Sequence, residues 1–136
     1  MIRKQFVVLG GFLLMAGCMP EMHRKERSLM PLASSLTKLT AAVESTVAFK
    51  KNAPAGARDQ ELVRVATAHD PSLIEPFTDH TIRAEDRGGH AAVMICSKDG
   101  TKALFEDVGC TAKVDKHHWE SNVECKFTLD MAEACR

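Results

Sequence analysis

Residues 91–108 read AAVMICSKDGTKALFEDV, two strand-length segments joined by turn residues. Ala91 to Cys96 is an unbroken apolar run of strand length bounded by turn residues. Asp99-Gly100 follows, a hairpin dipeptide, because a tight primed turn needs positive φ and glycine takes it without steric cost. Lys102 to Val108 then returns as a second strand. A two-residue turn at 99–100 sets Ser97 opposite Lys102 and Cys96 opposite Ala103.

Moving outward, Gly88-Gly89 reads as a turn, and Thr81-Ile82-Arg83 before it as a short strand. Downstream, 111–114 and 123–129 are expected as further strands. In the last of these Val123, Cys125, Phe127 and Leu129 alternate with Glu124, Lys126, Thr128 and Asp130, the pattern of a half-buried antiparallel strand.

Upstream the period changes. Leu32, Leu36, Leu39, Val43 and Val47 recur at steps of three and four, which predicts a helix over 32–50 with one apolar face. Pro31 suits its first turn, and Asn52-Ala53-Pro54-Ala55-Gly56 breaks it. A second helix is expected from about Asp59 to Ala68, with Leu62, Val65, Ala66 and His69 on one face. Asp59 and Glu61 favour its amino end, and Asp70-Pro71 closes it. Residues 72–78 connect, offering Leu73, Ile74 and Phe77 to the core. Helices first and strands afterwards imply an α+β fold: one or two N-terminal helices packed on a small antiparallel sheet of three to five strands.

The first residues carry an address. Arg3 and Lys4 precede the apolar run Phe6–Met15, and Ala16-Gly17 close it before Cys18, the three-part build of a secretory signal. The run is well short of the ~20 residues needed to span ~30 Å of hydrocarbon. Leu14-Met15-Ala16-Gly17-Cys18 resembles the lipobox of bacterial lipoproteins. Met15 stands where that family prefers leucine, with Leu14 one step earlier. The resemblance implies cleavage before Cys18, a diacylglycerol on its thiol and acylation of the new amine. Two or more chains give stable anchoring where one does not. In that family an Asp after the cysteine favours inner-membrane retention; Met19 stands here, which implies the outer membrane. Residues 1–17 are therefore expected as signal peptide, 18–28 as lipid anchor and polar tether, and 29–136 as a single disulfide-stabilised domain.

With Cys18 assigned to lipid, Cys96, Cys110, Cys125 and Cys135 remain of the five cysteines. An even set in an exported chain implies two disulfides. No CxxC or HxxxH spacing favours zinc instead. Three pairings are possible. Cys96 lies near the 99–100 turn, whereas Cys110 follows the return strand at the other end, over ~20 Å away at ~3.3 Å per residue. A bridge needs α-carbons within ~7 Å. Continuing the meander ranks Cys96–Cys125 with Cys110–Cys135 first and the nearest-neighbour pairing second.

Charge is balanced, with 18 Lys and Arg against 18 Asp and Glu. Removing Arg3 and Lys4 with the leader leaves a slightly acidic domain and no nucleic-acid footprint. The cluster His23-Arg24-Lys25-Glu26-Arg27 reads as a solvated tether near head groups. His117-His118-Trp119 is the most conspicuous candidate binding loop, with Trp119 anchoring it. Adjacent histidines on a strand face opposite sides, so no metal ligation is expected there, even with Asp115 or Glu120 nearby. His69-Asp70 and Asp79-His80 could each orient an imidazole, but no nucleophile accompanies either. Ser34, Ser35 and Ser45 lack a GxSxG elbow, and Gly88-Gly89 lacks the rest of a phosphate loop. No enzyme and no cofactor are expected. The leading expectation is a membrane-anchored envelope lipoprotein acting by protein binding, as an accessory component of an envelope assembly or an exclusion or envelope-maintenance factor. The alternatives are an inhibitor of a secreted or wall-degrading hydrolase, which would use the aromatic hot-spot chemistry of Trp119, and a metal-binding periplasmic protein.

Overall fold

The computed structural model describes residues 21–49 and 52–136, with side chains from residue 28 onward. The leader, Cys18 and Met19 lie outside the described residues. The sheet is built on two successive hairpins. Strand β1 (Thr81–Arg87) and strand β2 (His90–Cys96) meet at Gly88-Gly89, with Arg87 opposite His90. The two glycines have φ of 68° and 91°, the left-handed pair that a two-residue primed turn requires. Strand β3 (Ala103–Val108) returns beside β2 with Cys96 opposite Ala103, the register expected of a turn at 99–100. The Ser97 N–H donates to the Lys102 carbonyl at 2.8 Å.

The corner itself sits one residue early. The Gly100 N–H donates to the Ser97 carbonyl, so Lys98 and Asp99 turn the chain and Gly100 takes the left-handed position at φ 74°. The Asp99 carboxylate organises this loop. It accepts from the Ser97 hydroxyl at 2.6 Å and from the Thr101 hydroxyl and N–H at 2.8 and 3.1 Å. Those bonds, Ser97's foremost, hold its pKa down to about 2.

A two-residue strand, β4 (Lys116–His117), completes an antiparallel sheet in the order β1-β2-β3-β4. Helix α1 (Glu21–Ala48) packs across β2 and β3, and helix α2 (Asp59–Ala66) lies on β1. A 3-10 segment, Pro71–Phe77, joins α2 to the sheet, and a short helix α3 (Met131–Ala134) ends the fold. This is the expected α+β architecture. No helix of the described residues is long and apolar enough to cross a membrane.

One sheet face carries the main core. Leu36, Leu39 and Val43 of α1 and Leu62 and Val63 of α2 bury against Ala84, Val93, Ile95 and Phe105. The other face holds Met94, Cys96 and Ala103 beneath Cys125, Val123 and Phe127. The residues 91–96 are apolar without alternation because both faces of β2 are covered. Full burial of a side chain of this size contributes ~1.5–3 kcal/mol, so α1 is held by its stripe rather than by its propensity.

Four expectations are corrected. Helix α1 begins at Glu21, so Pro31 lies inside it rather than in its first turn, and residues 21–28 are helical. On α2 the buried residues are Leu62, Val63 and, just beyond its end, Thr67, while His69 is exposed. The face is rotated because Asp59 anchors the helix start to β1, as described below. Residues 111–114 form no strand. Asp115 pulls them into a tight loop, accepting from the Val108 N–H at 2.9 Å and the Thr111 hydroxyl at 2.7 Å.

Residues 123–129 are also not a strand, although their burial alternates as expected: Val123, Cys125, Phe127 and Leu129 turn inward and the residues between them outward. After a single bridge, Lys102 to Glu124, the segment leaves the sheet edge and crosses the back face as a strap.

Candidate functional site

The strap is held by side chains where a strand would use a backbone ladder. Glu106, fully buried on β3, accepts from the Thr128 and Leu129 N–H groups at 2.7 and 2.8 Å and from the Thr128 hydroxyl at 2.8 Å. Its fourth partner is His118 Nε2 at 3.1 Å. From β1, Arg83 and Arg87 donate to the carbonyls of Cys125 and Leu129, both at 3.3 Å. Arg87 also lies 4.8 Å from the centre of the Phe127 ring, a cation–π contact. The disulfides Cys96–Cys125 and Cys110–Cys135 fasten the strap at both ends, with α-carbons 5.8 and 5.4 Å apart. This is the pairing that the meander geometry ranks first. Two bridges in a small domain point to an oxidising, extracytoplasmic compartment.

The triplet His117, His118 and Trp119 divides between two environments, as alternation along a strand requires. His118 is buried and engaged by Glu106. His117 is exposed and stacks on Trp119, ring centres 4.1 Å apart. Trp119 packs edge-on against Phe105 at 5.3 Å, which anchors the loop to the core. A shallow depression of about 310 Å³ lies beside it, lined by Leu104, His118, Trp119 and Asn122.

A second acidic residue on β3 faces the helices. Asp107 is almost fully buried, opposite Val93 and beneath Thr40 of α1. Burial, reinforced by the neighbouring Asp115 carboxyl and offset in part by the Thr40 hydroxyl, pushes its pKa up to about 7. Asp107 Oδ1 and Thr40 Oγ1 have no hydrogen bond of ordinary geometry. Neither Glu106 nor Asp107 was singled out from sequence. The available signal is their position: two adjacent carboxylates in a strand beside an all-apolar one must each enter a covered face.

An apolar concavity of about 560 Å³ lies between α2, the 3-10 segment and the start of β1. Its walls include Val63, Arg64, Ile74, His80 and Ile82, and Ile74 is a large apolar side chain left exposed. This is the size and character of ordinary ligand or peptide sites. Two polar groups meet there without partners. Arg64 forms no ion pair among the described residues, and His80 Nδ1 is shielded from water without a hydrogen bond. At one end of the groove Asp59 is held at φ 49°, a backbone position that costs a non-glycine residue ~1 kcal/mol or more. Its carboxylate accepts from Arg83 Nε at 3.0 Å and from the Ala84 N–H at 3.1 Å.

The remaining sequence candidates do not assemble. Asp70 caps the 3-10 segment through the Ser72 N–H, and Asp79 faces Lys98 at 3.7 Å, so neither orients its neighbouring histidine. Among the described residues no three His, Cys, Asp or Glu side chains come together as a metal site would need. Neither a protein-family model, a curated protein nor a solved structure matches this chain.

Proposed function

We propose that this chain is a membrane-anchored envelope lipoprotein that acts by binding another protein, as an accessory component of an envelope assembly or an exclusion or envelope-maintenance factor. Acylation of Cys18 anchors it, at the outer membrane by the lipobox resemblance. The observation that carries the reading is the groove between α2 and β1. It is apolar, and among the described residues it leaves His80 Nδ1 buried without a hydrogen bond and the exposed Arg64 without an acidic partner. The disulfides support the compartment.

A photocross-linking residue at Ile74 of the full chain, activated in intact cells, tests this. Capture of one defined envelope protein is the expected result. Recovery of uncrosslinked monomer alone, with probes at both Ile74 and His117, would overturn it. The alternative, inhibition of a wall-degrading hydrolase, is favoured by one observation: the exposed His117 stacks on the half-buried Trp119 of a pinned loop. Loss of hydrolase activity on adding purified protein, restored by Trp119→Ala, would select it.

A further inference from the structure

We infer that the groove between α2 and β1 takes the carboxyl-terminal end of a partner polypeptide, binding its last apolar side chain and its α-carboxylate. This rests on the protein-binding reading and adds the chemistry of the partner. Three features lead to it.

The first is an unpaired strand edge inside the groove. β1 is the outermost strand, and its residues alternate between facing β2 and facing outward. The Ala84 N–H points outward, to Asp59, so the N–H and C=O of Ile82, two residues away, also point outward, and Ile82 lines the groove. An extended peptide can add there through its main chain, the general mode of strand addition.

The second is that the free edge is short. Asp59 occupies the donor at Ala84 from a strained backbone position. A partner strand therefore cannot run on along β1, and a chain end fits where a continuous segment would collide.

The third is charge. Arg64 has no acidic partner among the described residues, and His80 Nδ1 lacks one. Both line the same apolar space as Val63, Ile74 and Ile82. An arginine fork matches a carboxylate, and the apolar walls match the side chain next to it.

The test uses the full chain, ¹⁵N-labelled in detergent micelles, and three pools of acetylated pentapeptides. One ends in Val, Leu, Ile or Phe as the free acid; the second is the same pool as carboxamides; the third is amidated with an internal Glu. The free-acid pool is expected to shift the amides of Ile82 and of the α2 face, and to bind at least about tenfold more tightly than either other pool, as loss of a charge-assisted hydrogen bond implies. Arg64→Gln, an exposed change that should leave the fold intact, is expected to lose the same factor. Equal binding by the carboxamides, equal binding by the internal-Glu pool, or no shifts with any pool would overturn the inference. Cross-linking separates this from failure of the broader reading: capture through His117 but not Ile74 leaves protein binding standing and removes the groove.

Discussion

Asp107→Asn should make the protein more stable at neutral pH, by an amount that grows with pH. In the folded protein the Asp107 carboxyl titrates near 7 rather than its ordinary 3.8, mainly because it is buried between β3 and α1. A carboxyl whose pKa is raised on folding binds its proton more tightly in the native state. Its contribution is fully present below about 4 and is lost as pH rises toward 7, the reverse of the usual acid-denaturation sign. A shift of about three units at 1.36 kcal/mol each gives an upper bound of about 4 kcal/mol. Asparagine keeps the shape and never ionises. Urea unfolding of both proteins, disulfides intact, from pH 4.5 to 8 measures the effect. The stability difference between variant and parent is expected to rise with a slope of up to about 1.4 kcal/mol per pH unit and to level off above 7. Groups common to both proteins cancel in the difference. A difference flat in pH, or one that falls as pH rises, would refute the buried-carboxyl argument.

Glu106→Ala should cost about 3–5 kcal/mol, since it leaves His118 and two strap N–H groups buried without their acceptor; urea titration reads this, and faster proteolysis within 123–129 should accompany it. Gly109→Ala should destabilise by about 1–3 kcal/mol through overpacking, because a Cβ there would overlap the Glu44 carboxylate that holds His90 and the Ala91 N–H; Glu44→Ala in the same chain should recover part of the loss. The paired change Cys110→Ser with Cys135→Ser should lower stability by roughly 2–4 kcal/mol while leaving the Cys96–Cys125 bridge intact by peptide mapping. Cys110 is exposed and Cys96 fully buried, so limiting reductant should open Cys110–Cys135 first.

The sheet was legible because its signals are local. Gly88-Gly89 and Asp99-Gly100 each demand positive φ, and the register that follows places the four cysteines well enough to rank their pairing. The stripe from Leu32 to Val47 gave the core face of α1, but not its start: residues 21–28 have no apolar period, and the helix continues through them regardless. The strap mimics a strand in sequence for a physical reason. Alternation of Val123, Cys125, Phe127 and Leu129 reports which side chains turn inward, and a strap lying on a sheet alternates as a strand does. What distinguishes the two is the partner of each main-chain group: here Glu106 accepts from the strap N–H groups of Thr128 and Leu129, while Arg83 and Arg87 donate to the carbonyls of Cys125 and Leu129. For the same reason His118 looked like a surface residue: its buried acceptor is twelve positions away in sequence. The groove was not legible, since it joins Arg64 to Ile82 across a turn of chain whose course no local period sets.

Anchoring at the envelope depends on the chemistry of Cys18. Intact-mass and fragment spectra of the protein extracted from the membranes of its own host would read it. The expected mature chain begins at Cys18 and carries a diacylglycerol on the thiol and an acyl group on the amine. A chain that retains residues 1–17, or that begins elsewhere with an unmodified Cys18, would contradict it.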